Sequence, residues 1–215
     1  FLTVATQDFT ESLLNIGRFD AAIGLASKWP VEETSKEQAS ATGYVSWAKA
    51  YLQAAEQLHF ISNSDRQESF YFGPVIHNTG LAAELTLKAY LQGGGKTEKQ
   101  IRQIGHNTYD AYCSSREYFD EVKFIELHFS NTAHLTVPDE IRKRLGPANE
   151  GIETRWKVYF DHLRLLDTMY DRPFKGRYFQ PGAVQLPDTE IVLIGTKILL
   201  SALKDRLDDR AKSST

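Results

Sequence analysis

Three ionisable side chains stand out because of where they sit. In the stretch PVIHNTGLAAELTLKAYLQ (74–92), His77, Glu84 and Lys88 are spaced seven and four residues apart, with Leu81 between them, so on a helix they share one face. The rest of that stretch is apolar nearly all round, as a helix in the middle of a bundle would be. An unpaired charge buried there costs several kcal/mol, so these groups need partners. Two readings satisfy that need. Glu84 and Lys88 can form an i, i+4 pair worth ~0.2–0.5 kcal/mol beside a core histidine bonded to a backbone carbonyl. Alternatively, the three can line a small polar pocket inside the bundle.

Other spacings that could do chemistry are weaker. The run GGGKT (93–97) ends like a phosphate-binding loop, but that pattern needs a glycine at position 90, where this chain has Tyr90. The run also follows a series of helix formers rather than a strand, so it reads as a helix C-cap and turn. His128 and His134 have no carboxylate at ligand spacing, and no metal site is expected. There is no Gly-x-Ser-x-Gly elbow, and Cys113, the single cysteine, reads as a packing residue. Trp29, Trp47 and Trp156 fit aromatic-rich packing and do not form a stacking platform.

The elements that must position these groups are helical. In residues 35–60, Ala41, Val45, Ala48, Leu52, Ala55 and His59 recur at three-four spacing, with Tyr44, Trp47, Tyr51 and Leu58 on an adjoining stripe, which predicts a long helix capped by Ser35. A second helix spans roughly 74–92, with Pro74 in its first turn and the Gly93–Gly95 turn at its end. A third opens near Asn107 and runs through TYDAYCSSREYF. PDEIRKRLG (138–146) has acidic residues in its first turn, basic ones later and a closing glycine, all helix signals. Further helices are expected over 152–170 and 188–207, joined by a Pro- and Gly-rich segment that reads as an ordered loop or short hairpin. EVKFIELHFS (121–130) is the one fair strand candidate. The expected fold is all-α: an up-and-down helical bundle in a single domain, 1–215, with an N-terminal helical extension.

Composition bounds the partners. The 25 basic and 28 acidic side chains leave a net charge of -3, so the chain as a whole has no electrostatic attraction to nucleic acid or an anionic membrane, and any such binding has to be local. A lone cysteine excludes an intramolecular disulfide and fits a reducing, cytoplasmic setting. The longest apolar run, 191–203, is interrupted by Lys197 and is too short to span a bilayer. The first residues carry Asp8 and Glu11 without a basic segment, so no secretion signal is expected.

One longer pattern carries a resemblance. HNTGLAAELTLKAYLQGGG, followed after a short polar stretch by GHNTYDAY, resembles the signature of bacterial HEPN-like proteins (higher eukaryote and prokaryote nucleotide-binding). The matching positions are His77, Glu84, Leu85, Leu87, Lys88, Ala89, Gly105, His106 and Asn107, and Arg177 and Tyr178 match a late Arg-Tyr segment before the final helix. The resemblance covers about 70–210. It implies a bundle of four or more helices, commonly a homodimer and without a cofactor, and a binding pocket around His77, Glu84, Lys88, His106, Arg177 and Tyr178 for a nucleotide, an RNA or a protein partner. Such a partner could be an antitoxin or a nucleotidyltransferase. The resemblance also implies an alternative, because some members are metal-independent ribonucleases of toxin–antitoxin or phage-defence systems that use Arg-x(4–6)-His. Here that pattern is met by Arg155 and His162, and the imidazole and guanidinium would serve as acid or base and as charge stabiliser. Seven apart on one continuous helix, they would share a face.

Overall fold

The computed structural model describes residues 35–64, 72–145, 151–170 and 186–213. Among these residues the regular structure is helical: α1 (Ser35–Ser64), α2 (Phe72–Gly93), α3 (Glu98–Ile104), α4 (Thr108–Ser115), a 3₁₀ turn (Arg116–Tyr118), α5 (Glu121–Asn131), α6 (Asp139–Leu145), α7 (Ile152–Trp156), α8 (Tyr159–Tyr170) and α9 (Thr189–Ser213). The expected all-α bundle is what forms.

α2 is its centre. α1 runs along it, and α9, α4, α8 and α3 pack around the remaining sides. Ile76, Leu87, Tyr90 and Leu91 are fully buried, each burial worth roughly 1.5–3 kcal/mol. The Tyr90 hydroxyl has no water to turn to and donates to the Leu199 carbonyl of α9 at 3.0 Å. The three-four stripe of α1 faces this core, with Ala41, Ala48, Leu52 and Ala55 buried, whereas Trp47 points outward and stacks on Tyr51. The described part of α1 begins at Ser35, so the cap expected there stands at the edge of the described residues.

The glycine run closes α2 as anticipated. Gly95 adopts φ 85, the Lys96 amide reaches back to Leu91 O at 3.0 Å and the Gly95 amide to Gln92 O at 3.0 Å, the Schellman pattern of a helix C-terminus. Thr97 belongs to the next helix: its hydroxyl accepts from the Gln100 amide while the Gln100 side chain returns to the Thr97 amide, a capping box that opens α3.

Three expectations are corrected. Residues 121–130 form a helix rather than a strand. Asp120 caps it, Glu121 favours its first turn, and Phe124, His128 and Asn131 make its buried face, while Val122 is 68% exposed. The single helix expected over 152–170 breaks at Lys157 and Val158, giving α7 and α8. Cys113 is exposed rather than packed. The Pro- and Gly-rich segment, with Arg177 and Tyr178, lies outside the described residues apart from its last positions.

Candidate functional site

Glu84 is the hub of a polar network on α2. It is 97% buried, with 3% of its surface accessible, and its carboxylate accepts from three directions. Lys88 Nζ donates to Oε1 at 2.6 Å, the Tyr170 hydroxyl donates to Oε2 at 2.5 Å, and His106 Nδ1 lies 3.0 Å from Oε2. Burial alone would raise the Glu84 carboxyl, but the hydrogen bond and charge of Lys88, with the bonds from Tyr170 and His106, outweigh it and hold the group below the ordinary carboxylate range. Glu84 is therefore ionised and Lys88 is its buried counter-charge. On α1, Tyr44 feels the same field: partial burial first, then the Glu98 and Glu84 charges, raise its phenol.

Each partner arrives for a local reason. His106 is carried by the turn between α3 and α4. Gly105 takes φ 68 there, and the Asn107 side chain caps α4 by accepting from the Asp110 amide at 2.7 Å. That turn is pinned from α8 by Asp167, whose carboxylate accepts from the amides of Thr108 at 2.8 Å and Tyr109 at 2.9 Å and from the Thr108 hydroxyl at 2.6 Å. The positive end of the α4 dipole is thus satisfied by a carboxylate from a neighbouring helix. Tyr170 is the last residue of α8, and its ring lies flat on Gly80 of α2. A Cβ at Gly80 would stand 2.3 Å from the ring. His77, half-buried one turn earlier, meets the same ring at 5.9 Å between centroids, and His106 meets it edge-on at 6.3 Å.

The structure therefore brings together four of the residues singled out in the sequence, His77, Glu84, Lys88 and His106, around Tyr170. The His106 side chain keeps 45% of its surface in solvent while Glu84 and Lys88 sit beneath it. The buried ion pair and the Tyr170 ring anchor a half-exposed imidazole, which presents a polar, planar face at the surface without burying a net charge. Tyr170 and Asp167 were not foreseen. Gly80 was a readable signal for the first, since a glycine amid good helix formers marks a close approach. Asp167 leaves no trace in sequence, because a carboxylate that caps another helix looks like any exposed residue on its own.

Arg155 and His162 do not converge. The break between α7 and α8 removes the shared face: Arg155 is exposed, while His162 is buried. The Asp188 amide donates to His162 Nδ1 at 3.0 Å, so Nε2 carries the ring proton and donates to the Trp156 carbonyl at 2.5 Å. Both nitrogens are thus committed to backbone, and burial, opposed by these neighbours, lowers the imidazole pKa. His128 is likewise internal, donating from Nε2 to Ile191 O at 3.1 Å, with its pKa pushed down to about 4 by burial. Among the described residues no group of histidine, cysteine and carboxylate side chains is arranged to hold a metal ion.

No family model matches the chain, and no curated protein or solved structure is similar to it.

Proposed function

We propose that this protein is a HEPN-like helical binding module that takes a nucleotide, free or within an RNA strand, at the surface above the Glu84 network, and that it holds its ligand without cutting it. One observation carries the reading: a buried carboxylate on the central helix gathers a lysine one turn along the same helix, a tyrosine from the end of α8 and a half-exposed histidine from the α3–α4 turn. A scaffold that needed only stability would do as well with apolar residues there, since replacing buried ion pairs by apolar side chains is often neutral or stabilising. The partly exposed rings of His106 and His77 offer the planar surface on which a base can stack. The commitment of both His162 nitrogens to backbone supports binding over cleavage. The same reading has the chain work as a homodimer, on the resemblance alone.

Calorimetric titration with nucleoside monophosphates and a short single-stranded RNA tests this. Wild type should bind at least one of them, His106→Ala should weaken that affinity about tenfold or more, ~1.4 kcal/mol, and Arg155→Ala should leave it unchanged. Absence of heat with every probe, or equal affinity in His106→Ala, would remove the reading.

A further inference from the structure

The histidines divide into two groups. His77 and His106 belong to the Glu84 network, and the other four of the six all contact four consecutive residues at the start of α9. His162 accepts from the Asp188 amide at 3.0 Å. His128 donates to the Ile191 carbonyl at 3.1 Å. His59 of α1 places Nδ1 3.2 Å from the Thr189 hydroxyl and Nε2 3.7 Å from Glu190. His134, in the connection after α5, lies 3.2 Å from the other Glu190 oxygen. α1, α5, the α5–α6 connection and α8 therefore all grip one helix N-terminus through imidazoles. Further along, α9 fits closely, since a Cβ at Gly195 would stand 2.3 Å from the Tyr159 ring and 3.1 Å from His128.

The inner and outer pairs differ in burial and in what they hold. His134 is within hydrogen-bond distance of Glu190, whereas His59 approaches that carboxylate only to 3.7 Å. Those contacts are partly solvated, with His134 48% exposed, and pairs of this kind contribute little. Protonating His162 puts a hydrogen on Nδ1, where the Asp188 amide already points one, so an acceptor becomes a second donor and a cation is buried beside it. The charged groups facing that ring are Asp161 and Asp188, with His128 as its titratable neighbour. The groups facing Glu190 are His59 and His134, and beyond them Lys197 pairs with Glu56 at 3.0 Å. The two carboxylates soften the inner penalty but cannot restore the lost acceptor. At the inner ring a buried acceptor is lost with no new partner for the amide that used it.

We infer that the start of α9 is an acid-released latch: neutral His162 holds the Asp188 amide, and acidification through the imidazole range frees that amide from α8 and loosens the first turn of α9, while His128 and the outer histidines keep hold of residues 189–191. The consequence is local opening at one end of the bundle, at a pH where α1 and α2 stay folded. This device is independent of any ligand at the Glu84 network.

Hydrogen exchange read by mass spectrometry on the full chain, corrected for the intrinsic pH dependence of exchange, tests it. Between pH 7.5 and 5.5, peptides covering 187–193 should lose tenfold or more in protection, while peptides within α2 change less than twofold. In His162→Asn, whose side-chain oxygen can accept from the Asp188 amide without titrating, the pH dependence at 187–193 should fall to the part carried by His128 on Ile191. Uniform loss across all peptides, constant protection at 187–193, or unchanged pH dependence in the variant would overturn the latch. Should the variant not fold, proton NMR of wild type decides. The His162 ring should titrate together with the 189–191 amide signals, and titration of the ring without movement of those amides would overturn it equally.

Discussion

Glu84 has more at stake than any other single side chain in this molecule. Three donors converge on it, and removing the carboxylate strands a buried ammonium and a buried phenol. Glu84→Ala should therefore destabilise by ~3–5 kcal/mol in denaturant unfolding, and a loss below ~0.5 kcal/mol would place the pair in solvent. Converting Lys88 to Met in the same chain should recover part of the loss, because the stranded charge is then gone. Gly80 gives a sign test. In an exposed helix Gly→Ala stabilises by up to ~1 kcal/mol, but here the new methyl meets the Tyr170 ring. Gly80→Ala should instead lower stability by ~1–3 kcal/mol, and a stabilised variant would mean that the ring does not lie on α2. At this scale the sequence was informative where spacing within one helix decides proximity, as for His77, Glu84 and Lys88. For Tyr170 it offered only the indirect signal of Gly80, and it was silent on Asp167, whose role depends on how two helices meet.

At the scale of elements, capping decides more than periodicity. The short apolar run at 121–130 fits either period, and Asp120 with Glu121 settles it as α5. The same logic explains α3, hidden in a stretch that looks merely polar until Thr97 and Gln100 are recognised as a capping box. The break between α7 and α8 has no comparable signal. Its visible consequence is that the Trp156 carbonyl accepts from His162 instead of lying within a continuous helix. α4 depends on a carboxylate from outside itself, since Asp167 satisfies its first two amides. Asp167→Ala should cost ~1–2 kcal/mol and loosen the turn that carries His106, visible as broadened NMR signals for Gly105–Tyr109. A variant with unchanged stability and unchanged signals there would contradict the assigned role.

For the molecule as a whole, the buried histidines and the carboxylates of Glu84 and Glu190 point the same way in acid. His128 has its pKa pushed down to about 4, against ~6.5 in an unfolded chain. The unfolded state therefore binds the proton first, so the stability this group contributes is complete above 6.5 and is lost as pH falls towards 4. At ~1.4 kcal/mol per pH unit the total is roughly 3 kcal/mol. Glu84 and Glu190, both held below the ordinary carboxylate range, lose their contributions further into acid. Chemical denaturation from pH 7.5 to 4.5 should show monotonically falling stability, with the fall made shallower in a folded His128 variant that does not titrate and the remainder of its early part carried by His162. Stability that rises on acidification would mean that the outer histidine pairs dominate. No helix among the described residues is long and apolar enough to cross a membrane. The most direct test of binding without cleavage is a gel shift with end-labelled single-stranded RNA in EDTA, which reports occupancy and integrity in one lane. The account predicts a shifted, full-length RNA with wild type and with Arg155→Ala, and a shift largely lost with His106→Ala. Shortened products that disappear in Arg155→Ala, or a shift indifferent to His106, would contradict it.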